Sequence, residues 1–149
     1  RGGQAGPQAG TGTVSERDVP EGFELMPPFG PFHELVGPIY WRRTEAGFTI
    51  GLRAVEKHRN KGDMVHGGML AMLADTAFTW ASKHSREPPI AAVTTQLSVT
   101  MMGKAAIGDW LEARVEVLRS GRRVVFSNLY LWANGERIGQ ATAQFQVLG

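Results

Sequence analysis

The sequence predicts an α+β domain, a strongly curved antiparallel sheet wrapped around one long helix. Two observations carry that expectation. Residues 64–84 are rich in Met, Leu and Ala, contain no proline, and are apolar around most of the helical circumference. Around them lie six segments with strand texture, two before and four after. A helix that is apolar nearly all round is a buried helix, and one flat sheet covers only one side of it. The sheet must therefore curve round the helix, or a second copy of the chain must share it. A homodimer or a larger homo-oligomer is expected.

Residues 1–13 (RGGQAGPQAGTGT) offer almost nothing to bury, and the flexible N-terminal tail is taken to run over residues 1–20, with the folded domain over 21–149. A short helical turn is expected near residues 21–26. The Pro27-Pro28 pair and Gly30-Pro31 prevent a long element there. Residues 35–43 (LVGPIYWRR) read as a bent or edge strand interrupted by Gly37-Pro38. Residues 48–55 alternate Phe48, Ile50, Leu52 and Ala54 against Thr49, Gly51 and Arg53, a half-buried strand after a Glu45-Ala46-Gly47 turn. Pro88-Pro89 stops the helix. Four strands follow over 90–102, 110–119, 123–133 and 137–148. Asn134-Gly135 between the last two is a strong hairpin signal, because both residues accept positive φ.

Composition removes several classes of function. The formal charge is +2, from 16 basic and 14 acidic residues, too balanced for the concentrated basic face of a nucleic-acid binder. There is no run of 18 or more apolar residues, so no membrane span is expected, and no charged-then-apolar opening, so no secretory signal. Without cysteine there is no disulfide, thiolate nucleophile or cysteine metal site, which fits a cytoplasmic protein. His33, His58, His66 and His84 lack compact metal spacing, and no nucleotide-binding glycine pattern or serine elbow is present. No metal or cofactor is expected.

Residues 60–82 (NKGDMVHGGMLAMLADTAFTWAS) hold the candidate chemistry. Asp75 sits in mid-helix, and its same-face neighbours Ala71, Met72, Phe78 and Thr79 include no cation. Two readings stay open: a carboxylate that finds solvent or a backbone partner, or a functional one, since the helix leaves little solvent face. His66-Gly67-Gly68 opens the helix. Glycines there waste helix propensity but let a ligand approach the backbone, whose unpaired first-turn N–H groups can hold an oxyanion. The ordinary alternative is that His66 caps or packs and the glycines shape a turn. Gly67 and Asp75 are eight residues apart, about 12 Å along one helix. One carbonyl cannot contact both at hydrogen-bond distance, so a shared reaction requires two subunits, with two helices packed antiparallel.

Asn60, His66-Gly67-Gly68 and Asp75, followed by the Thr-rich Val93-Thr94-Thr95, resemble the hotdog-fold acyl-CoA thioesterases of the PaaI-like type. The resemblance covers roughly residues 35–148, including strand order. It implies a curved sheet around one helix, dimers that often pair into tetramers, and an acyl-CoA substrate hydrolysed to free acid and CoA. By resemblance Asp75 is the general base or nucleophile, and the Gly67 N–H polarises the thioester carbonyl. Asn60 helps to hold that carbonyl, His66 supports the oxyanion or thiolate side, and Thr94 orients water or the carboxylate. The family often has proline after the asparagine where this chain has Lys61.

Arg119, Arg122 and Arg123 around the Ser120-Gly121 turn could contact CoA phosphates, since guanidinium binds phosphate bidentately. A solvated basic turn explains them equally well. Two other functions compete with hydrolysis. A dehydratase or hydratase acting on acyl thioesters needs a His–carboxylate pair at one β-carbon, of which His66 could supply half. A non-catalytic acyl-CoA binding or sensing module usually carries a DNA-binding segment, and residues 1–30 are too rich in Gly and Pro to form one.

Overall fold

The computed structural model describes residues 19–149, so most of the tail expected over residues 1–20 lies outside the described residues. The strands are β1 (Glu24–Leu25), β2 (Tyr40–Thr44), β3 (Gly47–Arg53), β4 (Ala92–Met101), β5 (Trp110–Ser120), β6 (Val124–Ala133) and β7 (Glu136–Val147). The helices are α1 (Pro31–Val36) and α2 (Gly67–Lys83), with a 3-10 turn at Glu56–His58. All seven strands form one sheet in the order β1-β2-β3-β5-β6-β7-β4, and every pairing is antiparallel. The β6–β7 turn places Asn134 at φ 47° and Gly135 at φ 80°, the positive pair that an Asn-Gly hairpin allows.

The sheet curls around α2, which packs against β3, β4, β5, β6 and β7. Leu73, Ala74, Ala77 and Phe78 are fully buried, facing Ile50, Leu52, Leu111, Leu129, Leu131 and Phe145 from the alternating inward positions of the strands. Truncating a side chain such as Leu73 or Phe78 to alanine in a core of this kind costs about 2–5 kcal/mol. The helix is not buried all round. Gly68, Ala71, Met72, Asp75, Thr79 and Lys83 keep partial or full exposure and recur at steps of three and four, so they form one stripe on the side away from the sheet.

The N-terminal segment differs from expectation. Residues 24–25 pair with Tyr40 and Trp41 of β2 instead of forming a helical turn. The Met26 N–H to Ile39 carbonyl bond of 2.8 Å continues the contact. Residues 31–36 are helical, and the strand expected from residue 35 starts at Tyr40. Gly30-Pro31, which reads as a break, acts here as a start. Gly30 occupies the N-cap with φ 136° and Pro31 fills the first turn, where its missing N–H costs nothing.

His58 fastens α1 to the body. Its Nδ1 accepts from the Val55 N–H at 3.0 Å, so its Nε2–H donates to the Val36 carbonyl at the end of α1, 2.6 Å away. Lys57 Nζ donates to the neighbouring Gly37 carbonyl at 2.6 Å. Burial pushes the His58 pKa below its ordinary 6.5, against the Val36 hydrogen bond, which raises it, and with Lys57, which lowers it further. Burial lowers that of His33 as well, against a smaller upward pull from Glu34. The unfolded chain therefore binds protons that the native chain resists. Stability from these groups is complete above pH 6.5 and falls as pH drops from there through the lowered native values. Thermal unfolding followed by circular dichroism should show a lower Tm at pH 5.5 than at pH 7.5. His58→Gln, which keeps a donor for Val36 but does not titrate, should flatten that slope.

Candidate active site

Thr94 and Asp75 meet. The Thr94 hydroxyl, on β4, donates to Asp75 Oδ1 on α2 at 2.8 Å. The sequence separates them by 19 residues, and a bulge in β4 joins them. Thr94 lies opposite Phe145 of β7, Gln96 lies opposite Gln144, and Thr95 is the extra residue. A strict two-residue period would send Thr94 and Leu97 to opposite faces. The bulge lets Thr94 address the helix while Leu97 packs against the core. Thr95 turns to the Gln144 carbonyl at 3.1 Å. Asp75 is half-buried rather than enclosed, on the open stripe of α2.

The helix start has its own geometry. His66 is the N-cap, with φ −60° and ψ 133°, and its Nδ1 accepts the Gly68 N–H at 2.8 Å. That bond makes Nδ1 the unprotonated nitrogen of a neutral ring and leaves Nε2–H as an outward donor. The His66 carbonyl takes the N–H groups of Met69 at 2.9 Å and Leu70 at 3.3 Å. The Gly67 N–H enters none of these bonds. It is a first-turn donor at the positive end of the helix. The Met101 side chain covers Gly67, whose Cβ would lie 3.1 Å from Met101 Sδ.

Two clefts run along the open stripe of α2, under α1. One, of ≈ 320 Å³, contains Asp75, His33, Thr76 and Thr79. The other, of ≈ 510 Å³, contains His66, Gly68, Met69 and His58. Phe32 and Met72 line both. The Asp75 and His66 half-sites thus share one face of one helix with an apolar divide between them.

The remaining expected residues are placed differently. Asn60 Oδ1 accepts the N–H groups of Gly62 at 2.7 Å and Met64 at 3.2 Å, so its side chain shapes its own loop and only the amide nitrogen remains to donate elsewhere. Arg119, Arg122 and Arg123 are exposed around the β5–β6 turn and line neither cleft. A Ser120–Ser85 hydroxyl contact of 2.8 Å ties that turn to the segment just after α2. Phe32 and His33 of α1 escaped the sequence reading because Gly30-Pro31 looked like a break and the segment from residue 35 looked like strand. A Pro at N1 behind glycine was the signal that could have found them. Among the described residues no three His, Asp or Glu side chains cluster as metal ligands, and no helix is long and apolar enough to cross a membrane.

The cap explains which glycine is constrained. A Cβ on Gly68 would lie 2.9 Å from His66 Nδ1, the atom that accepts its N–H. Gly68→Ala should lower stability although alanine is the better helix former by about 1 kcal/mol, and His66→Ala should cost about 0.5–2 kcal/mol. Urea unfolding of the two variants and the double variant measures both, and strong non-additivity is expected because the residues share one bond.

Comparison with known proteins agrees with this architecture. The model of the thioesterase superfamily matches residues 62–140. A Pseudomonas aeruginosa protein, PA0474, whose name classes it as a candidate esterase, is 36% identical over 131 residues, 87% of this chain and 98% of that one. Acyl-coenzyme A thioesterase 13 of Homo sapiens is 28% identical over 131 residues, 86% of this chain and 91% of that one. Among solved structures, the E. coli PaaI protein from the phenylacetic acid degradation operon superposes with a TM-score of 0.71 at 21% identity, over 79% of this chain and 84% of that one. The BH2602 protein of Bacillus halodurans, solved with CoA, superposes with a TM-score of 0.63 at 26% identity, over 67% of this chain and 66% of that one. With its seven-stranded sheet curled around α2, the chain belongs to the thioesterase superfamily, as a hotdog-fold thioester hydrolase.

Proposed function

We propose that the protein hydrolyses an acyl-CoA thioester to the free acid and CoA, in a site shared by two copies of the chain. The Thr94–Asp75 hydrogen bond carries this reading. It holds one carboxylate oxygen from outside the helix and leaves the other for the cleft. A hydroxyl that donates to Asp75 fixes the orientation of the carboxylate, as a base or nucleophile needs. The CoA in the Bacillus halodurans neighbour supports the substrate class.

The Gly67 N–H of one copy donates to the thioester oxygen, and Asp75 of the other copy takes a proton from water. The hydroxide adds to the carbonyl carbon, and Gly67 holds the resulting oxyanion. Collapse re-forms the carbonyl and breaks the C–S bond, and the departing sulfur takes the proton from Asp75. In the covalent variant, Asp75 attacks the carbonyl directly, CoA leaves, and water opens the mixed anhydride. His66 Nε2–H and the Asn60 amide supply further donors to the oxyanion or sulfur side. Arg119, Arg122 and Arg123 contact the CoA phosphates.

Sharing follows from helix geometry. Gly67 opens α2 and Asp75 lies eight residues on, about 12 Å at the helical rise. The stripe of α2 that bears Asp75 is open, Gly67 at the helix start is half-buried beside Met101, and β4 is an edge strand with exposed Val93 and Met101. Such an edge is a template for another strand. A homodimer joined there, or a tetramer built from two, would bring the half-sites together.

Free-thiol release from a panel of acyl-CoAs tests the activity. Asp75→Asn should lower kcat on the order of a thousandfold. Tight binding with no turnover across the panel would favour a binding module, and hydration of enoyl-CoA without hydrolysis would favour a hydratase. Gly67→Pro isolates the oxyanion donor. Gly67 is the first helical residue, where proline is tolerated, and His66 already has the extended ψ that proline requires of its predecessor. The variant should fold with near-normal stability and lose activity about a hundredfold or more. Mixing Asp75→Asn with Gly67→Pro subunits should restore part of the activity by re-forming one intact site per dimer. No recovery despite demonstrated subunit exchange would argue for a site within one chain.

A further inference from the structure

The two half-sites of one chain lie against opposite ends of its edge strand, and this constrains how a second copy joins. At one end Thr94 of β4 donates to Asp75 at 2.8 Å. At the other, Met101 of β4 covers Gly67, whose Cβ would lie 3.1 Å from Met101 Sδ. β4 is the last strand of the sheet and pairs with β7 on one side only. A copy that brings its Gly67 to this Asp75 must bring the Met101 end of its own β4 to the Thr94 end of this one. Antiparallel pairing of β4 with β4 does so, and twofold symmetry then completes both sites at once.

The bulge shifts the register. Residues 96–101 hold one register against β7, and the extra residue Thr95 displaces Thr94 from it. Thr94 lies opposite Phe145, the place that residue 95 would take in a strand without the bulge. Midway between that place and Met101 is Ser98.

Two further constraints are met at Ser98. A continuous sheet keeps both copies of α2 on its concave side, so residues directly opposite across the join must share a face. Leu97 and Val99 pack against the core, while Gln96, Ser98 and Thr100 alternate with them and are exposed. The twofold axis therefore passes through a residue and its own counterpart, not between two neighbours. The backbone alternates in step. The Met102 N–H donates to the Ile138 carbonyl of β7 at 2.7 Å, so Gln96, Ser98 and Thr100 also address β7. Leu97, Val99 and Met101 turn their N–H and carbonyl groups to the open edge. With Ser98 on the axis, Leu97 of each copy meets Val99 of the other and exchanges both backbone bonds. Ser98 meets its counterpart in a pair without backbone bonds, where Cα atoms lie about 4.5 Å apart.

We infer that β4 pairs antiparallel with β4 of a second copy, with Ser98 on the twofold axis. Each centre then takes Asp75 and Thr94 from one copy and His66, Gly67 and Met101 from the other, which rests on the shared-site hydrolase reading above. Moving the axis by one residue slides one copy along the other by two residues, about 7 Å. The Gly67 donor would then miss the carbonyl that Asp75 serves.

The chain has no cysteine, so introduced thiols report the register without interference. Ser98→Cys, Gln96→Cys and Thr100→Cys each replace an exposed side chain. Under mild copper–phenanthroline oxidation, Ser98→Cys should run largely at twice the monomer mass on a non-reducing gel and return to monomer with reductant. Gln96→Cys and Thr100→Cys should stay at monomer mass, each lying beyond the roughly 7 Å between Cα atoms that a disulfide spans. The double variant should crosslink, because Gln96 of each copy faces Thr100 of the other. A crosslink in either of those single variants, or none in Ser98→Cys with wild-type circular dichroism, overturns the inference. So does a fully crosslinked Ser98→Cys dimer whose turnover, followed by loss of thioester absorbance, falls about tenfold or more. Wild type provides a check without substitution: sedimentation should show a dimer or a multiple of it, and a monomer that hydrolyses acyl-CoA overturns the inference. Crosslinking needs no substrate, so its failure leaves the hydrolase reading standing. A Ser98→Cys crosslink in a protein that hydrolyses no acyl-CoA overturns the hydrolase reading and not the pairing.

Discussion

The fold depends on one packing relation, the apolar side of α2 against the concave face of the sheet. Leu73, Ala74, Ala77 and Phe78 have no exposed surface, and strands from both halves of the sheet meet them. That contact fixes the rotation of the helix. Once those positions point at the sheet, helical periodicity turns Gly68, Met72, Asp75 and Thr79 the other way. The functional stripe is the complement of the core stripe.

What turns a stripe into a site comes from outside the helix, from both sides. β4 reaches in with Thr94, aimed by a bulge one residue later. α1 closes over the clefts with Phe32 and His33, held by the His58 bridge. Both elements sit at margins. β4 is the last strand of the sheet, and α1 is six residues long. Surfaces drawn from marginal elements on a rigid scaffold can vary without unfolding it, so the α1 and β4 sides of the clefts are free to vary while the α2 contacts stay as they are.

Legibility in the sequence followed the same division. The long helix, the hairpin at Asn134-Gly135 and the clean alternation over residues 111–117 were readable because each reports a local period or a turn requirement. Thr94 was placed by resemblance alone, since a bulge breaks the period from which register is counted. α1 was misread because Gly30-Pro31 interrupts a pattern when seen from upstream and starts a helix when seen from downstream. Asp75 stayed between a solvent-facing and a functional reading because composition shows how apolar a helix is, whereas the sheet decides which side it covers. The clefts could not be read, because they are spaces between segments remote in sequence.

His66 shows why the ordinary and functional readings of a residue need not compete. As a cap it accepts the Gly68 N–H through Nδ1. That bond is also what sets the tautomer and presents Nε2–H outward. It occupies the Gly68 donor and leaves the Gly67 donor out of the cap, so the cap selects which first-turn N–H stays unpaired. Serine or aspartate would cap as well or better, but neither has a second ring nitrogen to offer. In the proposed shared site the same economy extends to the helix. One rod supplies the donor end of one centre and the carboxylate of another, and its rigidity sets their separation at the helical rise. Two such rods, antiparallel, form two centres from one contact. Activity then depends on association, because neither half-site holds a complete set of groups.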